Sequence, residues 1–262
     1  MPQCPLTTSN SVTSFMLATT LVACTSMQSP LPTVPEPGDS SEVFHEALHW
    51  SRNSAEHRAI FEQTFKLALQ RLEELTTDKE PGTWAISSDA DETLIDNSLY
   101  EVEINQQGVT FSSESWHQWV LRKEAPALPG AVAFTARVKE MGGVVAVVTN
   151  RRSHQCQPTA DNLRAQGVNF DIVLCRHEVR DKEPRWEALT NGTSENWPQA
   201  QRQAAEPLPA LEVLMWLGDN IGDFPDLTQE LRHQDDPLTG FGDRFFAVPN
   251  PMYGSWEDNT QQ

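Results

Sequence analysis

Beyond Pro81-Gly82 the chain repeats one pattern, a short apolar run followed by a longer amphipathic stretch. Residues 83–87, 144–148, 170–174, 213–217 and 244–248 read as strands, and 130–141, 154–166, 183–189 and 223–231 as helices. Strands alternating with helices need right-handed crossovers, which place them in one parallel sheet covered on both faces. The expected fold class is therefore α/β, a doubly wound parallel sheet. Ligands of such sheets bind past the carboxyl ends of the strands, so the residues after each strand are the ones to read for chemistry.

The remaining segments are organised differently. Residues 41–75 are helical in pattern, with Ile60, Phe61, Phe65, Leu67, Ala68 and Leu72 at helical spacing. Asn53, followed three residues later by Glu56, has the form of a capping box, so two helices fit as well as one. The stretch 97–129 breaks the alternation and holds Tyr100, Phe111, Trp116 and Trp119 in a polar setting, as expected of a small cap over the strand ends. The domain expectation is a core domain over 41–262, with cap elements near 41–80 and 97–129.

From Met1 to Pro35 there is no charged residue. The apolar stretch Phe15-Met16-Leu17-Ala18, continued by Leu21-Val22-Ala23-Cys24, ends in the small residues of a secretory leader. It resembles a bacterial lipobox, with Cys24 as the lipidated residue, although the leader lacks an early Lys or Arg. Residues 1–24 are thus expected to be a lipoprotein leader and 25–40 a Ser- and Pro-rich tether. Thr25 after the cysteine leans towards the outer membrane of a bacterial envelope, with a periplasmic location as the alternative. No segment is long and apolar enough to span a bilayer. Cys156 and Cys175 fall near one sheet edge, where a disulfide and two free thiols are both compatible.

A net charge of -18 repels polyanions and argues against nucleic acid polymers as partners. A small anionic ligand would need a locally positive site. The strand ends offer one. The first carries Asp89-Ala90-Asp91-Glu92-Thr93 and the second Thr149-Asn150-Arg151. Lys182 follows the third, and Gly218-Asp219-Asn220 with Asp223 follows the fourth. Two positions apart on extended chain, Asp89 and Asp91 leave the same face. One can attack a phosphorus atom while the other exchanges a proton with the ester oxygen. Carboxylates facing a phosphate dianion need a hard cation, which Asp89 and Asp219 can hold, with Asp223, one helical turn on, reaching it from outside or through a water. Thr149 can donate a hydroxyl to a phosphate oxygen, and Lys182 can supply a point charge.

These motifs resemble the class C acid phosphatases of the haloacid-dehalogenase superfamily, including outer-membrane lipoprotein 5′-nucleotidases. Arg52-Asn53-Ser54-Ala55-Glu56, Pro129-Gly130-Ala131 and the string from Pro249 to Glu257 extend the resemblance over about 47–257. It implies Asp89 as nucleophile, Asp91 as general acid and base with its carbonyl on Mg²⁺, Asp219 as a further Mg²⁺ ligand, and Thr149, Asn150 and Lys182 at the phosphate. Trp116 and Tyr253 match aromatic positions that flank the substrate's ring, which implies nucleoside 5′-phosphates or nicotinamide mononucleotide among the substrates. The expected partner is a small phosphorylated molecule, and a homodimer is left open. Ser87-Ser88 depart from the pattern, because a buried central strand is normally apolar there and both hydroxyls need partners.

Two other readings compete. His45-Glu46-Ala47-Leu48-His49 has the spacing of a zinc-peptidase helix, with Glu73 or Glu74 as a distant third ligand. A non-catalytic surface lipoprotein on the same scaffold would bind ligands without releasing phosphate.

Overall fold

The computed structural model describes residues 40–201, 207–233 and 239–260. The expected leader, Cys24 and nearly all of the tether lie outside them. Among the described residues no helix is long and apolar enough to cross a membrane.

Two helices come first, α1 (Ser40–Asn53) and α2 (Ala55–Leu75). The break falls at Ser54, whose side chain accepts a hydrogen bond from the His57 amide. The cap is therefore Ser54, one residue later than the Asn53 expected from the sequence. Asn53 instead donates its amide to the His49 carbonyl within α1. Of the apolar residues on α2, Phe61, Phe65, Ala68 and Leu72 are buried, at spacings of one helical turn. Ile60 and Leu67 face outward.

The sheet contains β1 (Trp84–Ser88), β2 (Val144–Arg152), β3 (Ile172–Arg176), β4 (Gln199–Gln201), β5 (Glu212–Gly218) and β6 (Phe245–Ala247). Its order is β4-β3-β2-β1-β5-β6, parallel except for β4. The short, polar β4 carries no apolar run to announce it, and it covers the β3 edge in antiparallel fashion. The five expected strands are present, the third starting at Ile172 because Phe170 packs in the turn before it.

Between strands lie α3 (Ser98–Gln106), α4 (Ser113–Arg122), α5 (Ala131–Glu140), α6 (Cys156–Ala165) and α7 (Glu183–Asn191). The helix expected at 223–231 does not form. Short 3-10 turns at Ile221–Asp223 and Gln229–His233 stand there instead, with Pro225 between them. A proline removes an amide donor and disfavours helical backbone in the residue before it. Helix α2 packs on α5, β5 and β6 and so covers the sheet, whereas α1 packs on α3.

The buried central strands are rich in β-branched residues, as in β2 with Val144, Val145, Val147 and Val148. The hydroxyls of β1 do find partners. Trp186 Nε1 donates to Ser87 Oγ at 2.8 Å, and Ser88 Oγ donates to the Asp89 carbonyl at 2.9 Å. Cys156, the first residue of α6, forms a disulfide with Cys175 of β3, which decides between the two thiol states left open above. Closing a loop 19 residues long restricts the unfolded chain, so the Cys156→Ser/Cys175→Ser pair should lower stability by about 3 kcal/mol in denaturant titration. A loss under 1 kcal/mol would show that the bond does not constrain the unfolded ensemble.

Candidate active site

Chain order along the sheet reverses at β1, which has β2 on one side and β5 on the other. Such a switch point opens a crevice at the carboxyl ends of the strands. Asp89 leaves β1 there with its amide donating to the Leu217 carbonyl of β5, and Asp219 leaves β5 beside it. The 3-10 turn Ile221–Asp223 then folds Asp223 back, where its carboxylate accepts from the Asn220 amide at 2.9 Å. Gly218 makes this return possible, since a Cβ there would overlap the Asp223 side chain.

Carboxylate oxygens of Asp89, Asp219 and Asp223 lie within 4.8 Å of one another, a group that no other three metal-ligating side chains match among the described residues. Lys182, 2% exposed, pairs with Asp89 at 2.5 Å and Asp223 at 2.7 Å. Thr93 Oγ1 and Asn250 Nδ2 donate to the two oxygens of Asp219, at 3.2 and 2.9 Å. Burial, opposed by Lys182, pushes the Asp89 carboxyl up to about 7, with Asp223 and Asp91 adding repulsion. Burial, then Asp223 and Asp89, raise Asp219 well above the carboxylate range. Burial also works against the charge on Lys182, yet Asp223 and Asp89 hold its pKa above that of an ordinary lysine. Converging carboxylate oxygens are the donors a hard divalent cation takes, and their mutual repulsion is what its charge would relieve, so the residues fit one.

A testable consequence concerns pH. Raised carboxyl pKa values mean that the cation-free fold binds more protons than the unfolded chain between about pH 4 and 7, so its stability falls as pH rises through that window. A cation takes the protons' place. Millimolar Mg²⁺ should therefore raise the melting temperature more at pH 7.5 than at pH 5. Equal shifts at the two pH values, in differential scanning fluorimetry, would contradict the assignment.

Asp91 is held by a different set of partners. Arg151 grips it through Nη2 to Oδ1 at 2.7 Å and Nε to both oxygens at 3.0 and 3.1 Å. Asn97 Nδ2 adds a bond to Oδ1 at 2.8 Å, and Asn97 Oδ1 in turn accepts from Trp119 Nε1 of α4 and from Arg151. The turn that allows this is tight. Glu92 takes a left-handed backbone (φ 52°) and its carboxylate accepts from the Asn97 amide. Burial first, and then Asp91 and Asp219, push the Glu92 carboxyl well above its usual range.

Thr149 is buried in the second half of β2, its Oγ1 accepting from the Arg151 amide at 3.1 Å. Asn150 lies exposed beside it, and its Oδ1 accepts from Arg185 Nη2 at 2.9 Å. Arg185 also donates to the Thr149, Arg180 and Asp181 carbonyls, which ties the loop carrying Lys182 to the end of β2. Burial lowers the Arg185 pKa to about 10, against the attraction of Asp89 and Asp181. On the cap side, Trp116 is half-buried against Tyr100 and Phe111, with the Arg151 guanidinium 5.4 Å from its ring centre. The Tyr253 hydroxyl is buried and has no partner among the described residues.

Asp89, Asp219, Asp223, Lys182 and Thr149 thus converge at one rim, and the Asp91 carboxylate, held by Arg151 and Asn97, is not among the three that lie within 4.8 Å of one another. The sequence assigned no role in the site to Asn97, Trp119, Arg185 or Asn250, although Trp119 stood among the aromatics of 97–129 and Asn250 in the string from Pro249 to Glu257. Asn97 could have been picked out by its closeness to Asp91 along the chain, whereas nothing in the spacing of the other three announces their bonds. Glu46 and His49, of the competing zinc pattern, lie exposed on α1, and the His45 side chain is outside the described residues. Glu73 and Glu74 pair with Arg137 and Arg71.

Residues 7–256 match the family described as HAD superfamily, subfamily IIIB (acid phosphatase). The fold is similar to a solved class C acid phosphatase from Bacillus anthracis, at 25% identity and a TM-score of 0.69 over 83% of this chain and 87% of that one. A crystal structure of the Bacillus anthracis class C acid phosphatase with tungstate bound is similar at 25% identity and a TM-score of 0.70, covering 83% and 88%.

Proposed function

The chain belongs to the acid phosphatases of HAD superfamily subfamily IIIB and is a phosphomonoesterase of that type, and we propose that it works through an aspartyl-phosphate on Asp89 with Mg²⁺ as cofactor. The observation that supports this reading best is the meeting of Asp89 with Asp219 and Asp223, from distant parts of the chain, around a space that Lys182 also reaches. In the proposed reaction an Asp89 oxygen attacks phosphorus in line and the phosphorus–oxygen ester bond breaks. Asp91 gives its proton to the departing alkoxide. It then takes a proton from water, whose oxygen attacks the same phosphorus and frees Asp89 and inorganic phosphate.

The grip on Asp91 suits both roles. Three donor atoms, Arg151 Nη2 and Nε and Asn97 Nδ2, hold Oδ1, whereas Oδ2 receives only the Arg151 Nε contact at 3.1 Å and is the oxygen proposed to exchange the proton. Thr149 and Lys182 line the rim where the phosphate oxygens would lie, and Asn150 holds the loop through Arg185. Bound Mg²⁺, held by Asp89, Asp219, Asp223 and the Asp91 carbonyl, would supply the positive charge that lets a phosphate dianion approach a carboxylate. Tungstate, which the Bacillus anthracis enzyme binds, is a tetrahedral oxyanion like phosphate, and this favours an oxyanion at the same rim.

For the substrate's other end, Trp116 on the cap and Tyr253 with its unpartnered hydroxyl favour a ring, and hence nucleoside 5′-phosphates or nicotinamide mononucleotide. The deciding assay is phosphate release from adenosine 5′-phosphate and phenyl phosphate with and without Mg²⁺. Absence of Mg²⁺-dependent turnover on both would overturn the mechanism. The leader pattern supports envelope attachment through Cys24, so Cys24→Ser should move the protein from the membrane fraction to the soluble one. An unchanged membrane fraction would refute the anchor.

A further inference from the structure

Among the described residues, arginines are nearly all compensated. Each described arginine other than Arg152, Arg176 and Arg180 pairs with a carboxylate or donates to a carbonyl or hydroxyl oxygen. These three have no such acceptor among the described residues, although the chain carries 37 acidic residues against 19 basic ones. They also occur together. Arg152 and Arg176 are direct partners across the parallel strands β2 and β3, where the ladder resumes after an irregularity past Thr149. Arg180 follows in the loop that leads to Lys182. Burial, then Arg180 and Arg152, depress the Arg176 pKa, which reports how closely the positive charges crowd.

Like charges placed opposite each other on neighbouring strands destabilise a sheet. A chain with an excess of carboxylates could relieve that repulsion at little cost, and here it does not. Along the chain these arginines lie close to the reacting groups. Arg152 is three residues past Thr149, Arg180 two before Lys182, and Arg185 both bonds the Arg180 carbonyl and is electrostatically coupled to Asp89 and Arg176.

We propose that Arg152, Arg176 and Arg180 form a second anion subsite that receives a distal phosphate group, so that phosphomonoesters bearing another phosphate are preferred substrates. Guanidinium groups suit this task because their planar forks meet phosphate oxygens in pairs of hydrogen bonds. The inference rests on the phosphatase reading above and adds a substrate class to it.

The test compares hexyl phosphate with the bisphosphates of propane-1,3-diol, hexane-1,6-diol and decane-1,10-diol, in the Mg²⁺-loaded enzyme at low salt. At the best-fitting length kcat/KM should exceed that of hexyl phosphate by about tenfold, beyond the twofold statistical factor, and the advantage should shrink as salt rises. In Arg176→Gln/Arg180→Gln, which keeps polar side chains of similar reach, hexyl phosphate turnover should stay within about twofold while the bisphosphate advantage disappears. No advantage at any length, or an advantage that survives the double substitution, overturns the subsite. Loss of hexyl phosphate turnover in the wild type would instead strike the phosphatase reading itself.

Discussion

Asp89→Asn is expected to lower phosphate release by at least about 10⁴-fold, the scale of losing a covalent nucleophile, without unfolding the protein. The second half of that expectation comes from the electrostatics. Burial raises the Asp89 carboxyl to about 7, so above that pH the cation-free fold carries an ionised group that the unfolded chain tolerates better. Asparagine removes the charge, and Lys182 keeps its pair with Asp223 at 2.7 Å. At pH 7.5 without cation, the variant should melt at or above the wild-type temperature, and that margin should narrow at pH 5. In Mg²⁺ the order should reverse, because the variant has lost a cation ligand. A variant that retains turnover within tenfold of the wild type would remove Asp89 from the nucleophile's role.

Asp91→Asn should separate the two chemical steps. A nucleoside 5′-phosphate leaves as an alkoxide that needs a proton, so its hydrolysis should fall by about 10²- to 10⁴-fold. Nitrophenolate is a stable anion and leaves unaided. With 4-nitrophenyl phosphate the variant should therefore release a burst of nitrophenol equal to the enzyme present, then turn over slowly because nothing deprotonates the attacking water. Trp119→Phe keeps the packing of α4 but removes the donor at 2.8 Å from Asn97, and so loosens the hold on Asp91. Its effect should be about tenfold, confined to kcat for the nucleotide, with KM unchanged. Equal losses on both substrates, with no burst, would mean that Asp91 does not transfer the proton.

Much of the architecture was legible beforehand because a buried parallel sheet writes itself as apolar runs. Val144 to Val148 could hardly be anything else once Gly142-Gly143 precede them. The failures have specific causes. The strand Gln199–Gln201 is polar and short, and it exists only because β3 offers an edge to cover. Residues 223–231 hold apolar positions at helical spacing, but Pro225 and the return of Asp223 to the cluster prevent the helix. The mis-set cap at Asn53 arose because Ser54, its neighbour, is an equally good acceptor, and only backbone geometry distinguishes them.

At the site, the types of residue and their order after successive strands were enough to name Asp89, Asp91, Thr149, Lys182, Asp219 and Asp223 as one candidate set. Local chemistry sets that much, since an extended strand end fixes which way its next side chains leave. Which charges then neutralise which was decided in three dimensions. Lys182 shared between Asp89 and Asp223, Arg151 locked onto Asp91, and Arg152 set opposite Arg176 across two strands depend on contacts between residues as many as 93 positions apart. Spacing along a chain does not encode such distances. Packing of the whole sheet does, because it brings the strand ends to a common rim and leaves each buried charge to find whatever partner stands there.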